Sequence, residues 1–199
     1  MPRRREGAKG RRKNVVVFLD ANISLGMAFY LSDLRRYAHW ISLDSLERAL
    51  ERGDGGRGRH YTKAQRRRIR DFFDRTGDQN LFDQEGPPPH KMKDNQLLSY
   101  IVRLMEEVYS SRPLYLFYTH DKKFLTQDLL KSHPNLSSFD KKSVPPDLLE
   151  NYPHLSLLTD GGKLVYVALD TPDKRGKIRE VAGAIRKDFM ERLDEIMWG

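Results

Sequence analysis

Two apolar runs in this chain each end in a carboxylate. Val15-Val16-Val17-Phe18-Leu19 leads into Asp20-Ala21-Asn22, and Leu114-Tyr115-Leu116-Phe117-Tyr118 leads into Thr119-His120-Asp121. Between them, Lys93-Asp94-Asn95 opens a strongly periodic apolar stretch. In an open parallel sheet the strand C-termini gather at one edge, and ligands bind there. Three carboxylates delivered to one small volume repel each other unless they share protons or hold a cation. The chain has no cysteine, which excludes thiolate sites, and its six histidines are scattered without ligand spacing. Oxygen donors favour hard cations such as Mg2+ or Mn2+. Each aspartate also has an ordinary role, because Asp is a favoured N-cap and each of the three stands before a predicted helix. Capping alone would accept Ser or Thr at Asp20 and Asp121 equally well, so the combination points to a shared cation site.

The elements that would position these acids can be read from periodicity. Val15–Leu19 and Leu114–Thr119 are short continuous apolar runs, as expected of strands buried on both faces. A helix is predicted after the first strand, with Ile23, Met27, Tyr30, Leu31 and Leu34 on one side and Gly26 as a weak point. Residues 37–43 predict a second strand, and Leu43, Leu46, Glu47 and Leu50 a helix ending near Gly53. Thr62 followed by Gln65 reads as a capping box opening a helix with Ile69, Phe72 and Phe73 on its apolar face. Leu97, Leu98, Ile101, Val102, Met105, Val108 and Tyr109 follow the 3.6-residue period after Asp94, and Pro113 ends that helix. Residues 122–131 predict another helix, and 132–162 an irregular, proline-broken segment. Residues 163–169 predict a late strand in an edge or hairpin position. A final amphipathic helix carries Ile178, Val181, Ala182, Ile185, Phe189, Leu193, Ile196 and Met197. The alternation of strand and helix predicts an α/β fold, three-layer α/β/α with a mostly parallel central sheet.

The 199 residues suffice for one medium domain with extensions. The net charge is +8 and unevenly placed. Residues 1–13 carry seven Lys or Arg against Glu6, and residues 57–75 carry eight against Asp71 and Asp74. Each segment is therefore +6, and the rest of the chain is mildly acidic. Such patches attract polyanions largely without sequence preference. The expected organisation is a disordered basic arm over 1–14, a domain over 15–172 with a basic insertion at about 53–90, and a C-terminal helix over 173–199. That helix is expected to pack on the domain, with a homodimer or protein-partner interface as the alternative. No apolar run reaches the length of a membrane span. The basic start before Val15 is not followed by a convincing cleavage site, so no membrane partner and a cytoplasmic setting are expected. A transit peptide built on Arg3, Arg4, Arg5, Arg11 and Arg12 is the lesser alternative.

The order and spacing of the acidic motifs resemble the PIN-domain nucleases. That family opens with an apolar strand ending in Asp-x-Asn, matched by Asp20-Ala21-Asn22. A glutamate follows on a helix after the second strand, and Glu47 is the best match, with Asp44 and Glu51 nearby. The third acid begins a long helix, matched by Lys93-Asp94-Asn95. The fourth motif is an apolar strand ending in Thr-x-Asp, matched by Thr119-His120-Asp121. The resemblance covers residues 15–131, and the segment at 53–90 is longer than in minimal members. It implies a PIN-like fold and metal-dependent hydrolysis of phosphodiesters, usually in RNA, with DNA as the alternative substrate. It further implies Asp20, Asp94 and Asp121 as principal ligands of Mg2+ or Mn2+, joined by Glu47. Asn22 and Thr119 would orient carboxylates or a bound water. His120 is expected to point away from Asp121 and to take no catalytic part. Lys63, Arg66, Arg67, Arg68 and Arg70 would form a phosphate clamp, since guanidinium groups match phosphate geometry. Tyr61 beside them could stack on a base, although packing is its more common role.

Other readings fit less well. Haloacid-dehalogenase phosphatases need a second Asp where Asn22 stands. Response-regulator receivers need an acidic pair before the phosphoacceptor strand, and none is present. A catalytically silent PIN-like module that binds RNA or protein leaves a full acid set without a purpose. A non-enzymatic basic protein accounts for the charged segments but not for the strand-end acids.

Overall fold

A computed structural model of the chain describes residues 13–44, 46, 50–51, 61–74, 92–110, 112–122, 124–133, 154–159, 161–170 and 178–198. The basic arm before Lys13 and the position of Glu47 lie outside the described residues, and the 53–90 segment is described only over 61–74. The strands are β1 (Val15–Leu19), β2 (Ala38–Ser42), β3 (Leu114–Thr119), β4 (His154–Thr159) and β5 (Gly162–Ala168). They form one sheet of order β2-β1-β3-β5-β4. β2, β1, β3 and β5 run parallel, and β4 closes the edge antiparallel to β5.

The helices are α1 (Ala28–Leu31), α2 (Lys63–Phe72), α3 (Asp94–Arg103), α4 (Gln127–Lys131) and α5 (Ile178–Trp198). They divide the core into two halves, one on each face of the sheet. On one face Val15, Val17 and Leu19 pack with Trp40, Leu116, Tyr118 and Val167 against Leu31, Ile69, Phe72, Ile185 and Phe189. On the other, Val16, Phe18, Phe117 and Tyr166 pack against Leu98, Ile101, Met105 and Leu129. Every residue of β1 and β3 is buried, which is why both read as unbroken apolar runs rather than alternating ones. Burial of each large apolar side chain contributes roughly 1.5–3 kcal/mol. The α/β architecture with a mostly parallel sheet agrees with the expectation.

Several elements differ in detail. The helix expected over 23–34 is broken into a 3-10 turn (Leu25–Met27), α1 and a second 3-10 turn (Ser32–Arg36). Ser24 caps the first turn by accepting from the Gly26 amide at 3.1 Å. α3 continues as a π-helical segment, Leu104–Val108. α4 begins only after Thr126, whose hydroxyl caps it by accepting from the Leu129 amide at 3.2 Å. β4 falls in the segment expected to be irregular. It makes β5 an interior strand and takes the edge itself. The connection is a tight hairpin in which Thr159 pairs with Gly162. Gly162 adopts φ +129°, and a Cβ there would stand 3.0 Å from the Tyr115 ring and 3.1 Å from the Arg112 carbonyl. Glycine is required at that position on both counts.

The long final helix packs on the domain through Val181, Ala182, Ile185, Phe189 and Leu193. A polar strut reinforces it. The Tyr118 phenol donates to Asp188 Oδ2 at 2.7 Å, and Arg192 donates to both oxygens of the same carboxylate at 2.9 and 3.0 Å. Burial, and next the Asp188 charge, push the Tyr118 phenol well above its usual range, so it stays a donor.

The capping box of α2 is present. Thr62 Oγ1 accepts from the Gln65 amide at 3.2 Å, and Gln65 Oε1 accepts from the Thr62 amide at 2.9 Å. Thr62→Ala is expected to lower stability by about 1 kcal/mol, the usual effect of losing an N-cap side chain. Urea unfolding measures it, and an unchanged midpoint would mean that α2 contributes nothing to the cooperative unit.

Candidate active site

The sheet register carries the strand ends to one edge. Leu19 stands opposite Ser42 and Tyr118, and Thr119 stands opposite Ala168. The Asp20 amide donates to the Tyr118 carbonyl at 3.0 Å, so the first acid leaves β1 beside the end of β3. The chain leaves β1 for β2 through α1 on one face and reaches β3 through α3 on the other. The C-terminal ends of β1 and β3 therefore flank a topological switch point, the usual crevice for a ligand in an open α/β sheet.

Five residues at that edge are tied into one network. The Thr119 hydroxyl donates to Asp20 Oδ2 in a short hydrogen bond. Thr119 Oγ1 in turn accepts from Asn22 Nδ2 at 3.2 Å and from the Asp121 amide at 2.9 Å. Asn22 Oδ1 accepts from the His120 amide at 3.1 Å. Thr119 is fully buried, so a hydroxyl there is not a simple exposed turn residue. Asn22 and Thr119 thus touch the turns that carry Asp20 and Asp121. The His120 ring engages the Leu169 carbonyl at 3.3 Å, away from the acids.

The charge of Asp121 bears on both of the other aspartates. Burial raises the Asp20 carboxyl above the ordinary range, and the Asp121 charge adds to that. The Thr119 hydroxyl and the amides of Ala21 and Asn22 oppose the rise. Desolvation and then the Asp121 charge also raise Asp94, although its side chain is exposed. The Tyr166 phenol, on β5, is raised first by burial and then by the charges of Asp121, Asp20 and Asp94. One hydroxyl therefore feels all three acids.

The ordinary capping role holds for one acid only in part. Asp20 accepts from the amides of its own turn. Asp94 occupies the first helical position of α3, with Lys93 at the N-cap. The backward bond of a capping box is made by Gln96, whose Oε1 accepts from the Lys93 amide at 3.0 Å. Asp94 gains from the helix dipole there, and no described residue hydrogen-bonds its carboxylate.

The donor set fits a hard cation in its chemistry: oxygen ligands from three chain segments, two of them with carboxyls raised partly by a shared negative neighbour. Among the described residues, no group of three His, Asp or Glu side chains is close enough to form a finished metal cage. The candidate fourth acid, Glu47, lies outside the described residues. A cavity of about 430 Å3 between the end of β5 and α5 is lined by Leu169, Asp170, Glu180, Lys187 and Glu191 among others, and it includes none of the three acids.

Two features of the edge escaped the reading of the sequence. Val165-Tyr166-Val167-Ala168-Leu169-Asp170 is a third apolar strand running into an acid, by the same pattern as the first two. Its carboxylate is 91 % exposed and held by Lys122 Nζ at 2.6 Å. That ion pair lowers Asp170, so it behaves oppositely to Asp20 and Asp94. The second feature is Tyr166, which carries no signal in its local sequence beyond its place in a predicted strand.

The basic helix is only partly available. Lys63, Arg67 and Arg68 are exposed on α2. Arg66 turns back so that its Nε donates to the Tyr61 carbonyl at 3.1 Å, and both Arg66 and Arg70 are half-buried. Tyr61 packs its ring 6.4 Å from Phe29, which is the packing role. Among the described residues, no helix is long and apolar enough to cross a membrane. Compared with protein-family models, curated proteins and solved structures, the chain matches none. The resemblance to PIN-domain nucleases therefore rests on its motif residues.

Proposed function

We propose that the protein is a metal-dependent nuclease of PIN-like architecture that hydrolyses phosphodiester bonds, in RNA by preference. The observation that supports this most is the switch-point edge where the Thr119 hydroxyl links Asp20 to the Asp121 amide. Asp20, Asp94 and Asp121 would hold Mg2+ or Mn2+, with Glu47 as the fourth acid. A bound divalent cation supplies charge neutralisation for the anionic substrate and a water acidic enough to serve as hydroxide near neutral pH.

The chain's own residues set the conditions for that chemistry. Without a cation the edge repels a phosphodiester. The Thr119 hydroxyl holds Asp20, and the same oxygen receives the Asp121 amide, so one side chain orients two of the acids. Asn22 joins that hydroxyl to the His120 amide and keeps the two strand-end turns in register. These are the outer contacts that fix ligand orientation in metal sites generally. The Leu169 carbonyl engages the His120 ring, which takes no part in proton transfer.

Lys63, Arg67 and Arg68 give the substrate backbone a sequence-independent hold. Replacing all three with alanine is expected to weaken RNA binding and to reduce the slope of log K against log salt by about 2. Filter binding across a salt series measures both, and an unchanged slope would remove α2 from the interface. The second reading, a silent RNA- or protein-binding module, draws support from the lack of a finished three-ligand cage among the described residues. Cleavage of RNA that depends on Mn2+ and stops with EDTA separates the two. RNA binding with no cleavage under any divalent cation favours the module.

A further inference from the structure

A second buried residue bonded to the acid turns is Tyr166. Its ring belongs to the core half beneath α3, stacked 6.2 Å from Phe124 at 17° and 6.0 Å from Phe117. Phe117 in turn meets Phe124 edge-on at 5.1 Å. These three rings form the floor under the turn that follows β3. The Tyr166 hydroxyl donates to the backbone carbonyl of Asp121 in a short hydrogen bond, and the Phe124 amide donates to the same carbonyl at 3.5 Å. The phenol therefore ties down the carbonyl that opens the turn carrying the third acid. β5 brings it there by its parallel pairing with β3, in which Phe117 stands opposite Tyr166.

A backbone carbonyl at the end of a strand can be satisfied by water. Here it is fixed by a group that is itself immobilised in a ring stack. The direction of the Asp121 side chain follows from the orientation of that peptide and from the Thr119 bond to the Asp121 amide. Thr119 and Tyr166 thus hold the residue from its two backbone sides.

We propose that Tyr166 is a positioning residue of the acid site, which sets the direction of the Asp121 carboxylate toward Asp20 and Asp94 and so sets the affinity for the cation. This rests on the reading of the three acids as a cation site.

The test is Mn2+ binding by the full chain, followed by the EPR signal of free Mn2+, for the wild type, Tyr166→Phe and Tyr115→Phe. Tyr166→Phe keeps the ring stack and removes only the hydroxyl. It is expected to weaken Mn2+ binding roughly 10-fold, the usual effect of losing an outer contact to a ligand. RNA cleavage by this variant should recover toward wild type as Mn2+ is raised to saturation. Tyr115 is another buried tyrosine, whose phenol donates to the Tyr109 carbonyl at 2.6 Å at the opposite end of β3. Tyr115→Phe controls for the loss of a core hydroxyl and should bind Mn2+ as the wild type does. Wild-type Mn2+ affinity in Tyr166→Phe, or equal weakening in Tyr115→Phe, would overturn the assignment of Tyr166 and leave the cation site standing. A wild-type chain that takes up no Mn2+ would overturn both.

Discussion

Asp20→Asn and Asp121→Asn are each expected to cut Mn2+-dependent RNA cleavage by roughly 100-fold or more while the protein stays folded. The activity loss follows from charge. Each substitution removes one negative ligand from a set of three whose coupling is strongest through Asp121. The fold survives because an amide oxygen at position 20 can still accept from the Thr119 hydroxyl and the turn amides. At neutral pH the change also removes a burden. Burial raises the Asp20 carboxyl, so the native state holds that proton more tightly than the unfolded chain does. Ionising it costs stability, and the cost grows as pH rises from the unfolded carboxylate range through the raised value. Asp20→Asn should therefore unfold at or above the wild-type temperature at pH 7. Initial cleavage rates together with thermal melts measure both effects. Near-normal rates in either variant would remove that acid from the chemistry.

Divalent cation should stabilise the wild type strongly, because a ligand that binds only the folded form shifts the unfolding equilibrium by mass action. At about 100 times its dissociation constant Mn2+ is expected to add roughly 2.7 kcal/mol, or about 5–10 °C in Tm for a domain of this size. The gain should vanish in Asp121→Asn, which removes the carboxylate that raises both Asp20 and Asp94. It should also fade as the medium is acidified. The folded values of Asp20 and Asp94 lie above the ordinary carboxylate range, so protons begin to compete with Mn2+ at a higher pH than at a free surface aspartate. Differential scanning fluorimetry with and without Mn2+, over a pH series, measures this. A Tm gain that is equal in wild type and Asp121→Asn would place the cation elsewhere.

The parts of this architecture that were legible in the sequence are those governed by local rules. β1 and β3 are continuous apolar runs because each is paired on both sides and covered on both faces, and their bounds match the runs themselves. The Thr62–Gln65 capping box could be read from two residues three positions apart. β4 could not be read from apolar content, because an edge strand buries one face only and four prolines precede it in the segment. A better signal was present in Asp160-Gly161, a favoured two-residue hairpin turn, set between the paired ends Thr159 and Gly162.

The site was legible to a similar depth. Strand-end position brought Asp20 and Asp121 together, since a parallel sheet gathers its C-termini by construction. Yet the same rule selects Asp170, and only the structure separates it from the others, through the Lys122 ion pair that lowers its carboxyl. The basic helix shows the converse limit. Its arginines are evident in sequence, but the 3.6-residue period alone does not tell that Arg66 folds back on the Tyr61 carbonyl while Arg67 and Arg68 face solvent. Tyr166 was beyond reach, because its role depends on a pairing between residues 117 and 166 that no local pattern encodes.

The proposed function requires the acidic edge to hydrolyse phosphodiesters with the help of a divalent cation. The most direct measurement is incubation of the wild-type chain with end-labelled RNA in Mn2+, in Mg2+ and in EDTA, resolved on a denaturing gel. RNA fragments are expected with Mn2+ or Mg2+, and intact RNA with EDTA. RNA that stays intact under every divalent cation while remaining bound to the protein would contradict the proposed function.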